Sequence, residues 1–130
     1  MLRIAAAAIV AAHGLIHLIG FVVPWGIATV EGFAYRTTVF EGAIVLGDGG
    51  ARFLGLVWLA CAAGFVVAGI GIWRRTAWAL PLAAALAAVS IGLCILGLPE
   101  TVAGIAVNAA ILGGAARVLL ARPRVQGAGR

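Results

Sequence analysis

The sequence predicts an all-α fold, a four-transmembrane-helix bundle with an ordered extracytoplasmic cap between the first and second helices. Two observations carry this. Apolar residues make up 65% of the 130 residues against 10% charged, and mean hydropathy is +1.20. The apolar residues are also gathered into four continuous runs, at about 4–24, 53–73, 77–98 and 102–120, each near the ~20 residues a helix needs to cross a bilayer. Continuous runs argue against a membrane barrel, whose strands alternate apolar and polar residues. The length supports a single domain, 1–130, with a cytoplasmic tail at 121–130.

The first run starts after Arg3, as a signal peptide would. It stays apolar too long for one and reaches Pro24-Trp25 without a small-x-small cleavage site, so a retained helix is expected. Pro24 ends or kinks it, because proline lacks the backbone N–H and clashes with the preceding turn. Segment 25–52 is too polar and glycine-broken to span, yet too apolar for a solvated loop. Its stretch from Tyr35 to Phe40 favours extended backbone, and Gly47-Asp48-Gly49-Gly50 reads as a turn. A cap over the outer end of the bundle follows, built as a short hairpin or a short interfacial helix. The Arg74-Arg75-Thr76 link makes the second and third helices antiparallel neighbours. Pro81 falls in the first turns of the third helix, where a missing N–H is tolerated. After the tight link Leu98-Pro99-Glu100-Thr101, Thr101 is the expected N-cap of the fourth helix, with Glu100 near its positive dipole end.

Charge orients the bundle. Arg3, Arg74, Arg75, Arg117, Arg122, Arg124 and Arg130 fall at one end; the four acids Glu31, Glu41, Asp48 and Glu100 fall at the other with Arg36 and Arg52. By the positive-inside rule both termini are cytoplasmic and the cap is outside. These arginines also explain the sequence pI near 11.1. They read as anchors beside anionic lipid headgroups and not as a nucleic-acid surface, so membrane lipids are the expected partners. Trp25 and Trp58 are expected at the outer membrane boundary and Trp73 and Trp78 at the inner one. Small residues recur every fourth position, at Ala60, Gly64 and Ala68 and at Ala106, Ala110 and Gly114. That spacing lets helices approach closely, within one subunit or in a homo-oligomer or complex with another membrane protein. Cys61 and Cys94 lie within helices and read as small apolar fillers without metal-motif spacing.

The residues that stand out chemically are His13 and His17, the only 2 histidines in the chain. Four apart, they share a helix face, which Gly20 continues seven residues after His13. The fourth helix places Thr101, Gly104 and Asn108 on one face, with Asn108 at the depth of the histidines. Ser90 is the remaining clearly polar uncharged side chain well inside a run, and Glu41 or Glu31 in the cap can reach down to His17. The candidate site therefore has His13, His17 and Glu41 as acid–base groups, with Asn108, Thr101, Gly20, Trp25 and Ser90 as ligand-binding residues. One reading is a structural His–Asn pair between helices, worth about 0.5–2 kcal/mol. The other is a ligand, proton or catalytic site, favoured because one histidine would suffice for packing and polar groups at bilayer depth mark function.

No metal is expected at this site, and the cofactor is left open. Haem would need a ligand from another helix, available only across a symmetric oligomer. Zinc would need a third ligand such as Glu41, Cys61 or Cys94, and the intervening Gly14-Leu15-Ile16 lacks the glutamate of the HExxH motif. Three functions stay open. The first is a small integral membrane protein, such as an accessory subunit, that binds an apolar ligand or a partner at an outward-biased His/Asn pocket. The second is a membrane enzyme using His13 and His17 as acid–base on a lipid- or quinone-like substrate. The third is a transporter or a purely structural oligomer, with transport disfavoured by the absence of acids and histidines from the inner halves of helices two to four.

The stretch A12-H13-G14-L15-I16-H17-L18-I19-G20-F21 resembles the opening helix of small four-helix bacterial integral membrane proteins. G55-L56-V57-W58-L59-A60 and the region of Asn108 are also similar to them, and fragments of the pattern resemble DoxX-like proteins. The resemblance implies a multi-pass protein of the bacterial plasma membrane and draws attention to His13, His17 and Asn108.

Overall fold

A computed structural model describes residues 1–121, so the expected tail at 121–130, with Arg122, Arg124 and Arg130, lies outside the described residues apart from Ala121. The elements in order are α1 (Leu2–Ile16), α2 (Ile19–Val22), β1 (Thr38–Val39), β2 (Ile44–Val45), α3 (Gly47–Trp73), α4 (Ala79–Leu96) and α5 (Val102–Leu120). Among the described residues, four helical stretches are long and apolar enough to cross a membrane: Leu2–Val22, Gly47–Trp73, Ala79–Leu96 and Val102–Leu120.

The first of these is broken, where the sequence predicted one continuous helix over 4–24. At His17 and Leu18 the backbone tightens: His17 N–H donates to Gly14 O at 3.1 Å and Leu18 N–H to Leu15 O at 3.1 Å, one residue short of the α-helical partner. The chain then resumes as α2 and ends before Pro24. α3 begins about six residues earlier than the apolar run suggested. Gly47 enters it at φ +67, a left-handed conformation that glycine adopts without a side-chain clash. Asp48 occupies the first turn, where its charge complements the helix dipole. The stretch read as a turn is therefore the opening turn of a helix.

Between α2 and α3 the chain forms a small antiparallel hairpin, with Thr38 opposite Val45 and Val39 opposite Ile44. Its turn puts Phe40 and Glu41 at φ 52 and 56, as a primed hairpin turn requires. The Thr37 carbonyl accepts from both Leu46 and Gly47 N–H, at 2.8 and 3.0 Å, and so ties the hairpin to the start of α3. The hairpin is one of the two forms expected for the segment. It is held down at several points: Tyr35 OH donates to Asp48 at 2.5 Å, Arg36 pairs with Glu100 in the α4–α5 link, and Trp25 Nε1–H donates to Arg52 O at 3.2 Å. The Asp48 carboxylate accepting the phenol proton raises the Tyr35 pKa above the ordinary tyrosine value of 10.0.

The helices pack in the order α1 on α3, α3 on α4 and α4 on α5, while α1 and α5 approach each other little. The α1–α3 seam runs along Gly55, Trp58, Ala62, Phe65 and Gly69 of α3, spaced three and four apart. A methyl group at Gly14 would lie 2.7 Å from Phe65 Cβ, and one at Gly69 would lie 2.8 Å from Ala7 O, so the two backbones are in close contact there. In an apolar medium such packing replaces the hydrophobic effect as the force joining helices. Val10, Phe65, Ala68, Ala83 and Ala87 form the buried core beside this seam. The predicted small-residue spacing divides: Gly64 faces Leu86 of α4 and Ala68 is fully buried, whereas Ala60, Ala106, Ala110 and Gly114 are exposed.

Candidate functional site

The break in the first helix positions the site. Because His17 N–H bonds to Gly14, the carbonyl of His13 is left without its regular partner, and the His17 side chain takes it, Nδ1–H donating to His13 O at 2.9 Å. The opposite nitrogen, Nε2, lies 2.5 Å from Ser90 Oγ on α4. Asn108 on α5 lies beside Ser90. Its Nδ2 donates to Ser90 Oγ at 2.8 Å and to Gly104 O at 2.9 Å, and its Oδ1 lies 3.1 Å from His13 Nε2. His13, His17, Ser90 and Asn108 are all buried, with Ser90 and Asn108 at 0% exposure.

Two backbone carbonyls set the direction of every bond in this chain. A carbonyl only accepts, so His13 O requires a proton on His17 Nδ1, which leaves Nε2 of the neutral ring to accept from the Ser90 hydroxyl. In the same way Gly104 O requires the amide nitrogen of Asn108 on its side, so Oδ1 faces His13 and accepts from Nε2–H. The rings are packed as well as bonded. His13 and His17 meet edge-on at 4.6 Å between centroids, Phe65 lies 5.2 and 5.1 Å from them, and Trp58 lies 5.1 Å from His17.

Beside the network is a cavity of about 600 Å³, with His13 and His17 in its wall and the hairpin lining it as well. That volume falls within the roughly 300–1,000 Å³ of small-molecule pockets. Its walls are mainly apolar, with Leu54, Trp58, Leu93 and Val39 among them, and Arg36, Glu41 and Glu100 bring charge toward the hairpin and the α4–α5 link. Ile16 and Ala103 also line it and are themselves exposed, on α1 and α5, which approach each other little.

The structure brings together His13, His17, Ser90 and Asn108, and it places Gly20 and Thr101 in the cavity wall. Other expected contacts differ. Glu41 lines the cavity but makes no hydrogen bond to His17; it sits on the exposed hairpin turn, and both nitrogens of His17 are already engaged. Glu31 is exposed and lies outside the cavity lining. Trp25 packs against Gly55 and Phe21 instead of lining the cavity. Ser90 and Asn108 lie beneath the floor and not on it. Thr101 begins α5 without a side-chain cap, because its hydroxyl donates back to Cys94 O at 2.5 Å. Gly20 leaves room for the Trp58 indole, which a methyl group there would overlap.

Sequence reasoning missed Trp58 and Phe65 as site residues. Trp58 was expected only as a boundary residue; it packs on His17 and walls the cavity. The signal was present: the two aromatics are seven apart on the small-residue face formed by Gly55, Ala62 and Gly69. Among the described residues, no three His, Cys, Asp or Glu side chains come together to hold a metal ion. Ser90 and His17 have the spacing of a nucleophile and its base, but Ser90 is sealed beneath the floor, out of reach of a molecule in the cavity. Comparison with protein-family models, curated proteins and solved structures finds no match to the chain.

Proposed function

We propose that this chain is an integral membrane protein that binds an apolar molecule in the cavity beneath its hairpin. In this reading the four long helices cross the bilayer, the arginine-rich end faces the cytoplasm and the hairpin faces outward. The observation that carries the reading is the cavity of about 600 Å³, whose mainly apolar walls end on two histidines. An apolar cavity with a few convergent polar groups is the usual form of a small-molecule site. The exposed lining residues Ile16 and Ala103 support entry sideways from lipid, between α1 and α5.

Acid–base catalysis is carried less far by the geometry. Glu41 does not engage His17, and Ser90 lies out of reach of the cavity. Binding is therefore the conclusion, either as the whole function or as that of an accessory subunit.

The test uses purified protein in detergent titrated with bromododecane, whose bromine quenches an indole on contact. Trp58 lines the cavity. Saturable quenching is expected, lost in Trp58→Phe and weakened at least tenfold in Ala103→Phe, which narrows the seam without crowding the core. Non-saturable quenching, or equal quenching in Ala103→Phe, would overturn the reading.

A further inference from the structure

The directed hydrogen-bond chain leaves one position over. Along its length the acceptors are His13 O, His17 Nε2, Ser90 Oγ, Asn108 Oδ1 and Gly104 O, and each has a donor. The donors are likewise all committed, ending with His13 Nε2–H on Asn108. With Nε2 protonated, Nδ1 of the neutral His13 ring carries a lone pair and no proton. Nδ1 has no partner among the described residues. No fully sealed side-chain nitrogen or oxygen among them lacks one, so Nδ1 retains accessible surface, on a residue that is only 6% exposed and lines the cavity.

We infer that His13 Nδ1 is the polar anchor of the cavity and that it takes the hydroxyl of a long-chain alcohol or phenol whose apolar body fills the space toward the hairpin. This rests on the binding reading above and names the ligand class. The selection is chemical. The His–Ser–Asn network itself offers the cavity an acceptor and no free donor, so a hydroxyl gains a hydrogen bond at His13 Nδ1. An ether, ester or ketone oxygen would face a lone pair with nothing to donate. The other polar atoms of the network cannot be recruited without breaking a buried bond. Glu41, Arg36 and Glu100, which also line the cavity, lie on the hairpin side. They can meet the far end of an amphipathic ligand without competing for its hydroxyl.

The test has two readouts on the native protein in lipid nanodiscs with 15N-labelled histidine. With only 2 histidines, the ring spectrum separates by tautomer. His13 is expected as Nε2–H and His17 as Nδ1–H. Dodecanol should then displace bromododecane about tenfold more effectively than dodecyl methyl ether, the factor one added neutral hydrogen bond supplies. It should also shift the unprotonated Nδ1 resonance of His13 while leaving His17 in place. His13→Phe, which keeps a ring of similar size, should bind alcohol and ether equally.

An Nδ1–H tautomer at His13 would overturn the inference. So would equal displacement by alcohol and ether with no shift at His13, although the cavity reading would then stand. If neither compound displaces bromododecane and bromododecane itself fails to saturate, the cavity reading falls and this inference falls with it.

Discussion

Asn108 is the residue on which the buried network turns, because it joins α5 to His13 of α1 and to Ser90 of α4 with one amide. Replacing it with leucine keeps the volume roughly constant but leaves His13 Nε2–H without an acceptor. Stranding a buried donor costs about 1–3 kcal/mol. Asn108→Leu should therefore destabilise the protein by that amount in equilibrium unfolding in mixed micelles. Ser90→Ala should cost a similar amount, since it strands His17 Nε2 and one Asn108 N–H. Because the two share a hydrogen bond, the double variant should lose less than the sum of the singles. Strict additivity would show that the network does not act as a unit. Sequence analysis already singled out these residues, since few polar side chains lie within the apolar runs. The bonding order was not legible. It depends on the His13 carbonyl freed by the tightened turn, and no residue type marks that turn.

The α1–α3 seam makes opposite demands on glycines that look alike in the sequence. Gly14 faces Phe65 and the Ala62 carbonyl, whereas nothing lies within 4 Å of Gly113 on α5. Gly→Ala in a helix interior gains up to about 1 kcal/mol from propensity. At Gly113 that gain should appear nearly whole. At Gly14 the added methyl meets Phe65 Cβ at 2.7 Å, and overpacking of this kind costs about 1–3 kcal/mol. Gly14→Ala should thus destabilise and Gly113→Ala be neutral or stabilising, as read from unfolding free energies. Equal effects would mean that α1 and α3 do not meet as described. The helices themselves were legible because continuous apolar runs of this length leave the backbone no other way to satisfy its hydrogen bonds. The partner faces were less so: Ala60-Gly64-Ala68 matched the spacing rule, but the closest approach lies on the neighbouring face, at Gly55, Ala62 and Gly69.

For the molecule as a whole, the proposed orientation separates two exposed sites. Glu31 lies in the segment on the hairpin side, and Ala77 lies in the link between α3 and α4. A membrane-impermeant maleimide added to intact cells should label Glu31→Cys, and it should label Ala77→Cys only after permeabilisation. The native thiols should stay silent, since Cys61 and Cys94 are 3% and 1% exposed. The reverse pattern would invert the proposed topology.

Composition and run length were enough to read four long apolar helices, their order and the matching level of His13 and Asn108 along them, because these follow from local hydropathy and the rise of a helix. The histidine pair was visible for the same reason: an imidazole among apolar residues stands out in the chain itself. The break at His17, the hairpin beside the cavity, the packing of Trp58 and Phe65 on the histidine rings and the direction of the hydrogen bonds came from the tertiary structure. Each depends on which backbone carbonyl or helix face lies opposite, and such pairings join residues as much as 95 positions apart, as His13 and Asn108 are. Packing of distant segments leaves His13 Nδ1 without a protein partner and every other polar atom of the network engaged.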